Sequence, residues 1–223
     1  MENTKDTLLI VEDIPDILTL LKATLEFKGY RVLTARDGQE ALETLEKEQP
    51  SVIVTDILMP RMDGFNLVHH LRLNPETRDI PVIFLSATYV APEDKTFALS
   101  LGATRFIEKP VNFDEFLPTV AELISSREKS ALAPLDELEF YDGYRKRLET
   151  KLLHKNTQIA RAEHLLGTIP EEERPSFNIS LRQAYEERRE IQKLLDQIHG
   201  VMENRRQNPP GADQPLDPSS PSD

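Results

Sequence analysis

The chain contains no cysteine among its 223 residues. Disulfide bonds and thiolate metal sites are therefore excluded, and a reducing compartment is the natural setting. No apolar run approaches the roughly 20 residues that a helix needs to span a bilayer. The opening residues, Met1 to Asp6, lack the basic and then apolar order of a signal peptide. We therefore expect a cytoplasmic protein that does not enter a membrane.

Positive charge is scarce compared with negative charge. The chain has 27 Lys and Arg residues against 39 Asp and Glu, which gives a formal net charge of -12. A general nucleic-acid binder needs clustered cations, so this balance argues against nucleic acid as a partner. The length allows one or two domains. The hydrophobic fraction of 39% suffices for one ordinary core and predicts additional polar helix or tail.

Residues 7 to about 126 alternate apolar runs of strand type with segments of helical periodicity. Most of the runs are continuous rather than alternating, as is typical of buried parallel strands. The predicted strands are Leu8 to Val11, Arg31 to Thr34, Val52 to Asp56, Val82 to Ser86 and Arg105 to Ile107. The helices between and after them include residues 37–48, 64–73, 92–101 and 112–126. Five such pairs with right-handed crossovers predict a doubly wound parallel α/β sheet.

Polar residues stand at the end of four of these strands. They are Glu12 with Asp13, then Asp56, Ser86 and Lys109. In an open α/β sheet, ligands bind beyond the carboxyl ends of the strands, so we expect these groups to converge. Any one of them could be an ordinary turn residue. All four positions at one edge of the sheet favour a functional site.

The chemistry of this group indicates phosphoryl transfer. Three carboxylates would repel one another unless a cation intervened, and their oxygens suit a hard octahedral ion such as Mg²⁺. The metal and Lys109 would neutralise the oxygens of an incoming phosphoryl group. Asp56 is placed to attack as the nucleophile and form an acyl phosphate. The hydroxyl of Ser86 offers a donor to a phosphoryl oxygen.

Residues 7 to 126 resemble the receiver domain of two-component response regulators over the whole domain length. The matching motifs are Leu9-Ile10-Val11-Glu12-Asp13, Asp56 with Met59-Pro60 and Asp63-Gly64, Ser86-Ala87, and Phe106-Ile107-Glu108-Lys109-Pro110. The resemblance implies a flavodoxin-like fold with five parallel strands in the order 2-1-3-4-5. It also implies a sensor histidine kinase or a phosphotransfer protein as partner.

The resemblance assigns the acidic site residue by residue. It implies that Asp56 is the phosphoacceptor. It further implies that Glu12, Asp13 and Asp56 bind Mg²⁺ together with the backbone carbonyl of Leu58. The acidic pair reads Glu-Asp rather than Asp-Asp, which is a common variant.

The resemblance also assigns the residues around the acidic site. Lys109 is similar to the phosphoryl-binding lysine, and the Lys109-Pro110 bond is expected to be cis. Ser86 and Phe106 are similar to the switch pair of hydroxyl and aromatic residues. Leu58 and Thr88 lack the polar groups that orient the hydrolytic water in fast-dephosphorylating relatives. We therefore expect a slow switch.

The hydrophobic period changes after a linker at residues 127–136. The first apolar frame comprises Leu138, Tyr141, Leu148, Leu152, Ile159, Ala162 and Leu166. The second comprises Phe177, Leu181, Ala184, Ile191, Leu195, Ile198 and Met202. Pro170 and Pro175 break the helix between the two frames. Residues 137–206 are thus predicted to form an antiparallel helical hairpin or coiled coil. Residues 207–223 contain five prolines among polar residues and are expected to be disordered.

Two cations interrupt the apolar frames. Lys155 and Arg188 would come near each other when the hairpin folds back, and two like charges in a dry seam are costly. They would either extend outward to solvent or meet acidic groups of another chain. The second option, together with the thin core of two helices, favours a homodimer or a partner helix.

Other histidines and the output class leave alternatives open. His69 and His70 are adjacent on a helix and are expected on a solvated face, and His154 is expected to be exposed on the hairpin. We found no helix-turn-helix pattern, nucleotide-binding glycine loop or metal-ligand motif after residue 126. The hairpin is therefore interpreted as an interaction or dimerisation output. The alternative is a transcription or RNA-binding output of unfamiliar type. An enzyme with its own substrate lacks a residue constellation of its own beyond the receiver site.

Overall fold

The computed structural model describes residues 6–86, 92–126, 135–168, 170 and 174–207. The first part of the chain alternates strands and helices: β1 (Thr7–Val11), α1 (Pro15–Phe27), β2 (Arg31–Ala35), α2 (Gly38–Leu45), β3 (Val52–Asp56), α3 (Gly64–Leu73), β4 (Val82–Ser86), α4 (Pro92–Ser100), β5 (Arg105–Glu108) and α5 (Phe113–Ser126). All neighbouring strands pair in parallel, in the order β2-β1-β3-β4-β5. The flavodoxin-like fold implied by the motifs is confirmed.

The apolar strands are covered by helices on both faces of the sheet. One buried cluster joins the strands to α1 and α5, and includes Leu25 and Phe116. On the other side, Phe65 of α3 contacts Phe84 of β4 and Phe97 of α4 edge to face, with ring centroids 5.4 and 5.2 Å apart. Burial on both faces explains why the strand sequences read as continuous apolar runs.

Several helix ends differ slightly from the predicted bounds because capping residues lie outside the helix. Asp37 precedes α2, and its carboxylate accepts hydrogen bonds from the backbone N–H groups of Gln39 and Glu40 at 2.9 and 3.0 Å. The helix therefore begins at Gly38 rather than residue 37. Gly29 follows α1 with φ of +96°, a backbone conformation that glycine adopts without strain, and ends the helix.

The second part of the chain contains two long helices, α6 (Glu137–Leu166) and α7 (Arg174–Gln207). Within this part, Ile159 of α6 packs with Leu181 and Ala184 of α7. In α6, Lys155 contacts Glu187 of α7, and Glu163, further along α6, contacts the earlier Tyr185 of α7. The two helices are therefore antiparallel. The predicted helical hairpin is thus confirmed. No helix of the described residues is both long enough and apolar enough to cross a membrane.

The chain divides into two compact units, residues 1–140 and 141–223, and the boundary falls inside α6. The predicted linker is described only at residues 135–136, and the predicted disordered tail only at Gln207. Both predictions therefore lie almost entirely outside the described residues. Pro175 lies in the first turn of α7, where proline is tolerated, instead of breaking the helix.

The buried faces of the two long helices match the predicted frames unequally. The frame of α7 is right, since Leu181, Ala184, Ile191, Leu195 and Ile198 are all buried. The start of the α6 frame is wrong, because Leu138 is 57% exposed while Phe140 and Tyr144 are fully buried. Two large aromatic rings at a spacing of four, continued by Leu148, set the buried face instead of the predicted Leu138 and Tyr141.

Candidate functional site

The parallel sheet places the polar residues of four strands at one edge. Asp56 is the last residue of β3, and Ser86 is the last residue of β4. Glu12 directly follows β1, and Lys109 directly follows β5. The strands run in register, so these positions lie side by side at their carboxyl ends. The convergence expected from the sequence is present in the fold.

The carboxylates of Glu12, Asp13 and Asp56 offer oxygens that all lie within 4.8 Å of one another. Glu12 is fully buried, and the other two are half-buried. Burial is the largest cause that raises the pKa of each carboxyl group. The charge of Asp56 adds to the effect on the pKa of Glu12, and the charge of Asp13 adds to that on Asp56. The ionised forms of these three carboxyl groups are therefore disfavoured in the folded protein.

Lys109 is the cation that the fold brings to this cluster. Its ammonium group lies 2.7 Å from a carboxylate oxygen of Glu12 and 3.2 Å from one of Asp56. Burial alone would lower the pKa of Lys109, but the charges of Asp56 and Glu12 outweigh it, and the net direction is upward. One positive charge faces three negative charges, so the cluster still favours a further cation. A donor set of carboxylate oxygens fits a hard divalent ion such as Mg²⁺.

Gly64 holds the segment beyond β3 against the site. A Cβ atom at this position would lie 2.1 Å from the carbonyl oxygen of Asp56 and 2.9 Å from the ring of Phe84. The N–H of Gly64 donates to the carbonyl of Ile57 at 2.8 Å. Only glycine allows this approach of backbone to backbone. The sequence assigned no role to Gly64, and its position at the start of α3 was the available signal.

Ser86, Phe106 and the Lys109-Pro110 bond lie where the motifs placed them. Ser86 is 2% exposed, and its carbonyl accepts a hydrogen bond from the backbone N–H of Lys109 at 2.6 Å. Phe106 is half-buried in β5. The expectation of a cis Lys109-Pro110 bond is confirmed. Leu58 is 43% exposed, whereas Thr88 lies outside the described residues.

The expectation of a solvated His69 is wrong. The His69 side chain is buried, and its ring stacks on Phe140 with centroids 3.9 Å apart and an interplanar angle of 3°. Burial, with a smaller contribution from the charge of His70, lowers the pKa of His69 to about 4. Phe140 lies in the first turn of α6 and belongs to the first compact unit. The aromatic spacing of Phe140 and Tyr144 was the sequence signal for this contact.

For Lys155, the two expected alternatives were extension to solvent or contact with acidic groups of another chain, and the structure shows an acidic partner in the same chain instead. The ammonium group of Lys155 contacts Glu187 of α7 and donates to the side chain of Gln158 at 3.0 Å. The guanidinium group of Arg188 lies over the ring of Tyr185, 5.0 Å from its centroid. Both cations thus find partners within the same chain. His154 is exposed, as expected.

Comparison with known proteins identifies the first part of the chain. Residues 8–121 match the model of the response regulator receiver domain. A probable transcriptional regulator, ycf27 of Pyropia yezoensis, is 34% identical over 129 residues, which cover 58% of this chain and 51% of that protein. A probable cyclic di-GMP phosphodiesterase of Vibrio cholerae is 33% identical over 158 residues, which cover 70% of this chain and 33% of that protein.

A solved structure supports the same relationship. The receiver domain of the sensor histidine kinase PA1611 from Pseudomonas aeruginosa is similar with a TM-score of 0.51 and 28% identity, and covers 55% of this chain and 99% of that chain. That structure is described with a magnesium ion coordinated in the active site cleft. The chain spans about half the length of the first curated relatives it matches. The receiver match covers half of the chain, and the protein belongs to the response regulator receiver domain family.

Proposed function

We propose that this protein is a response regulator in which Asp56 accepts a phosphoryl group in a Mg²⁺-dependent reaction. The observation that carries the proposal is the cluster of Glu12, Asp13 and Asp56 within 4.8 Å, with Lys109 in contact with two of them. The phosphoryl donor is a phosphohistidine of a sensor kinase or phosphotransfer protein. The protein has no separate catalytic function in this proposal.

Each residue of the site has a separate role in the proposed phosphoryl transfer. A carboxylate oxygen of Asp56 attacks the phosphorus atom, the phosphorus–nitrogen bond of the phosphohistidine breaks, and an acyl phosphate forms. Lys109, already 3.2 Å from Asp56, pairs with a phosphoryl oxygen. The hydroxyl of Ser86 donates to another phosphoryl oxygen. Each contact neutralises or positions charge, which is the main requirement of this reaction.

The metal would be held by Glu12, Asp13 and Asp56 together with the carbonyl of Leu58. When bound, Mg²⁺ supplies the positive charge that the attacking carboxylate and the phosphoryl oxygens both need. The raised pKa of all three carboxyl groups supports this assignment, because it shows that their ionised forms lack sufficient positive charge nearby. The carboxylates bind the ion, and Lys109 remains available to the phosphoryl group.

We further propose that phosphorylation changes the helical hairpin through α3 and α4. A series of aromatic contacts leads from the site to α6: Phe84 to Phe65, Phe65 to Phe97, and Phe97 to Phe140 at 6.2 Å. Phe65 follows Gly64, which abuts the carbonyl of Asp56. We also propose that movement of the switch pair, Ser86 and Phe106, repacks the surface of α4, β5 and α5, so the two routes share α4.

The hairpin is proposed as the output, through a homodimer or a partner helix. Two helices alone bury little apolar surface, which supports an additional partner. Leu153 and Ile179 are 65% and 70% exposed on the hairpin. The pairing of Lys155 with Glu187 removes the electrostatic argument for a second chain but leaves this apolar one.

A nucleic-acid output is the second candidate. Relatives such as the ycf27 protein of Pyropia yezoensis are named probable transcriptional regulators, and this chain spans 51% of that protein. The net charge of -12 does not favour contact with phosphates. Binding to random duplex DNA or RNA that weakens steeply with salt would favour this candidate over the interaction output.

Acetyl phosphate in Mg²⁺ buffer is expected to add one phosphate to the full chain and none to Asp56→Asn. Intact-mass spectrometry measures the addition. Lys109→Ala should slow the labelling by about 10-fold or more, because the phosphoryl oxygens lose their cation. An exposed control, Lys95→Ala, should label at the wild-type rate. Equal labelling of Asp56→Asn would place the phosphoacceptor elsewhere.

In EDTA, Asp56→Asn is expected to raise the stability of the protein at neutral pH. The fold raises the pKa of Asp56, so the native state binds more protons than the unfolded chain above the ordinary value of 3.8. Wild-type stability should therefore fall, relative to the variant, as pH rises from that value through the raised native pKa. Thermal unfolding measures this, at about 2–4 °C per kcal/mol.

The same experiment includes a metal and a control. Adding Mg²⁺ at about 100 times its Kd should stabilise the wild type by about 2.7 kcal/mol and the variant much less. The exposed control Glu43→Gln removes one negative charge away from the cluster and should leave the response to Mg²⁺ unchanged. A variant that is less stable than wild type in EDTA would contradict the interpretation.

Dephosphorylation is expected to be slow, over minutes or longer, because the side chain of Leu58 cannot orient a water molecule. Replacing Leu58 with Asn should speed the loss of phosphate by roughly 10-fold. Decay is measured by intact mass after removal of acetyl phosphate. Wild-type decay within seconds would contradict the expectation.

Beryllofluoride is expected to change hydrogen exchange in α7 of the full chain and to change its sedimentation. Phe140→Ala should reduce both responses, since it removes the ring that stacks on His69. Phe27→Ala, which removes an 87% exposed ring on α1, is the matched control. Typical allosteric couplings correspond to shifts of about 5–150-fold in an association constant. Identical responses in both variants would exclude this route.

A further inference from the structure

The segment that follows Asp56 contains a non-glycine residue in an unusual backbone conformation. Arg61 has φ of +61°, in the left-handed region that favours glycine. The N–H of Met62 donates to the carbonyl of Pro60 at 2.7 Å, which makes a γ-turn centred on Arg61. Such a conformation persists only when surrounding contacts hold it in place. Contacts around Arg61 therefore hold its backbone in this conformation.

The guanidinium group of Arg61 binds two carboxylates at the start of α2. One nitrogen lies 2.8 Å from an oxygen of Glu40, and the group also contacts the carboxylate of Asp37. Asp37 is 1% exposed and caps α2 with its other oxygen. The hydrogen bonds that Arg61 donates to Glu40 and Asp37 raise the pKa of its guanidinium group. Exposed ion pairs usually contribute little, but here one partner is a buried, already fixed carboxylate.

Backbone hydrogen bonds close the same segment at both ends. The N–H of Gly38 donates to the carbonyl of Met62 at 2.9 Å, which ties the segment to α2. The N–H of Gly64 donates to the carbonyl of Ile57 at 2.8 Å, which ties it to the end of β3. Leu58 lies between these attachments. The position of its backbone thus depends on how firmly residues 57–64 are held.

We propose that Arg61 is a positioning residue for the metal site, because its contacts with Asp37 and Glu40 fix the segment that carries the Leu58 carbonyl. The inference rests on the proposed function, in which that carbonyl binds Mg²⁺. With Arg61 in place, the segment is ordered before the metal arrives. Without it, only a fraction of molecules have the binding arrangement, and the apparent affinity falls by that fraction.

Two substitutions separate the ion pairs from the backbone conformation. Arg61→Gly removes the guanidinium group and relieves the strain at φ of +61°, whereas Arg61→Ala removes the group and keeps the strain. Both are expected to weaken Mg²⁺ binding by about 3- to 10-fold, since the ion pairs are lost in each. Arg61→Lys keeps a charge but lacks the planar fork, and should recover only part of the affinity.

Arg31→Ala is the matched control. Arg31 has 55% side-chain exposure against 57% for Arg61, and it pairs with Glu48 away from the site. The substitution makes the same change of net charge and also removes an ion pair between elements. It should leave Mg²⁺ affinity within about twofold of wild type. Any effect of losing one surface charge in general would appear equally in Arg31→Ala and Arg61→Ala, so a larger loss in Arg61→Ala is specific to that position.

Isothermal titration calorimetry with MgCl₂ on the full chain measures the affinity. Hydrogen exchange of the Gly38 and Met62 N–H groups in EDTA measures the order of the segment without metal. Faster exchange at both groups and weaker binding in Arg61→Ala and Arg61→Gly, with neither change in Arg31→Ala, support the proposal. Wild-type affinity in Arg61→Gly would overturn it, as would an equal loss in the control.

Failure of the proposed function gives a different result. If wild-type protein takes up no Mg²⁺, the metal site itself is wrong, whatever the exchange data show. If wild type binds Mg²⁺ and exchange is unchanged in both Arg61 variants, the metal site stands and the positioning role of Arg61 is rejected.

Discussion

The site depends on a concentration of negative charge that the fold itself opposes. Parallel strands bring Glu12, Asp13 and Asp56 together at the carboxyl edge, and burial makes their ionised forms costly. Lys109 offsets part of this cost from the end of β5. Because further positive charge relieves the remaining imbalance, the electrostatics of this edge favour the binding of a cation.

Helix caps and close backbone contacts surround the site. Gly64 allows α3 to begin directly against the carbonyl of Asp56, and Asp63 caps that helix with a bond to the N–H of Asn66 at 2.9 Å. Asp37 caps α2 and also receives the guanidinium group of Arg61. Asp37 and Asp63 thus fix helix ends beside the cluster of Glu12, Asp13 and Asp56. Preorganised charge of this kind loses little energy to rearrangement during a reaction.

Local signals made the receiver fold and its charged edge readable from the sequence. Continuous apolar runs ending in Asp56, Ser86 or Lys109 depend on residues close together in the chain. The burial of His69 depends instead on a contact with Phe140, which lies in the first turn of α6 about 70 residues further along the chain. Helical periodicity alone could not choose between Leu138 and Phe140 for that face. Likewise, the partner of Lys155 became visible only when Glu187 was placed beside it.

The stacking of His69 on Phe140 has a consequence for any shortened form of the protein. A receiver cut at the end of α5 would lack Phe140 and leave the His69 ring facing water. Its pKa would return from about 4 towards the ordinary value of 6.5. The fragment would then change its charge near neutral pH, whereas the full chain does not change at this residue. A pH dependence that arises from His69 in such a fragment would therefore be absent from the full chain.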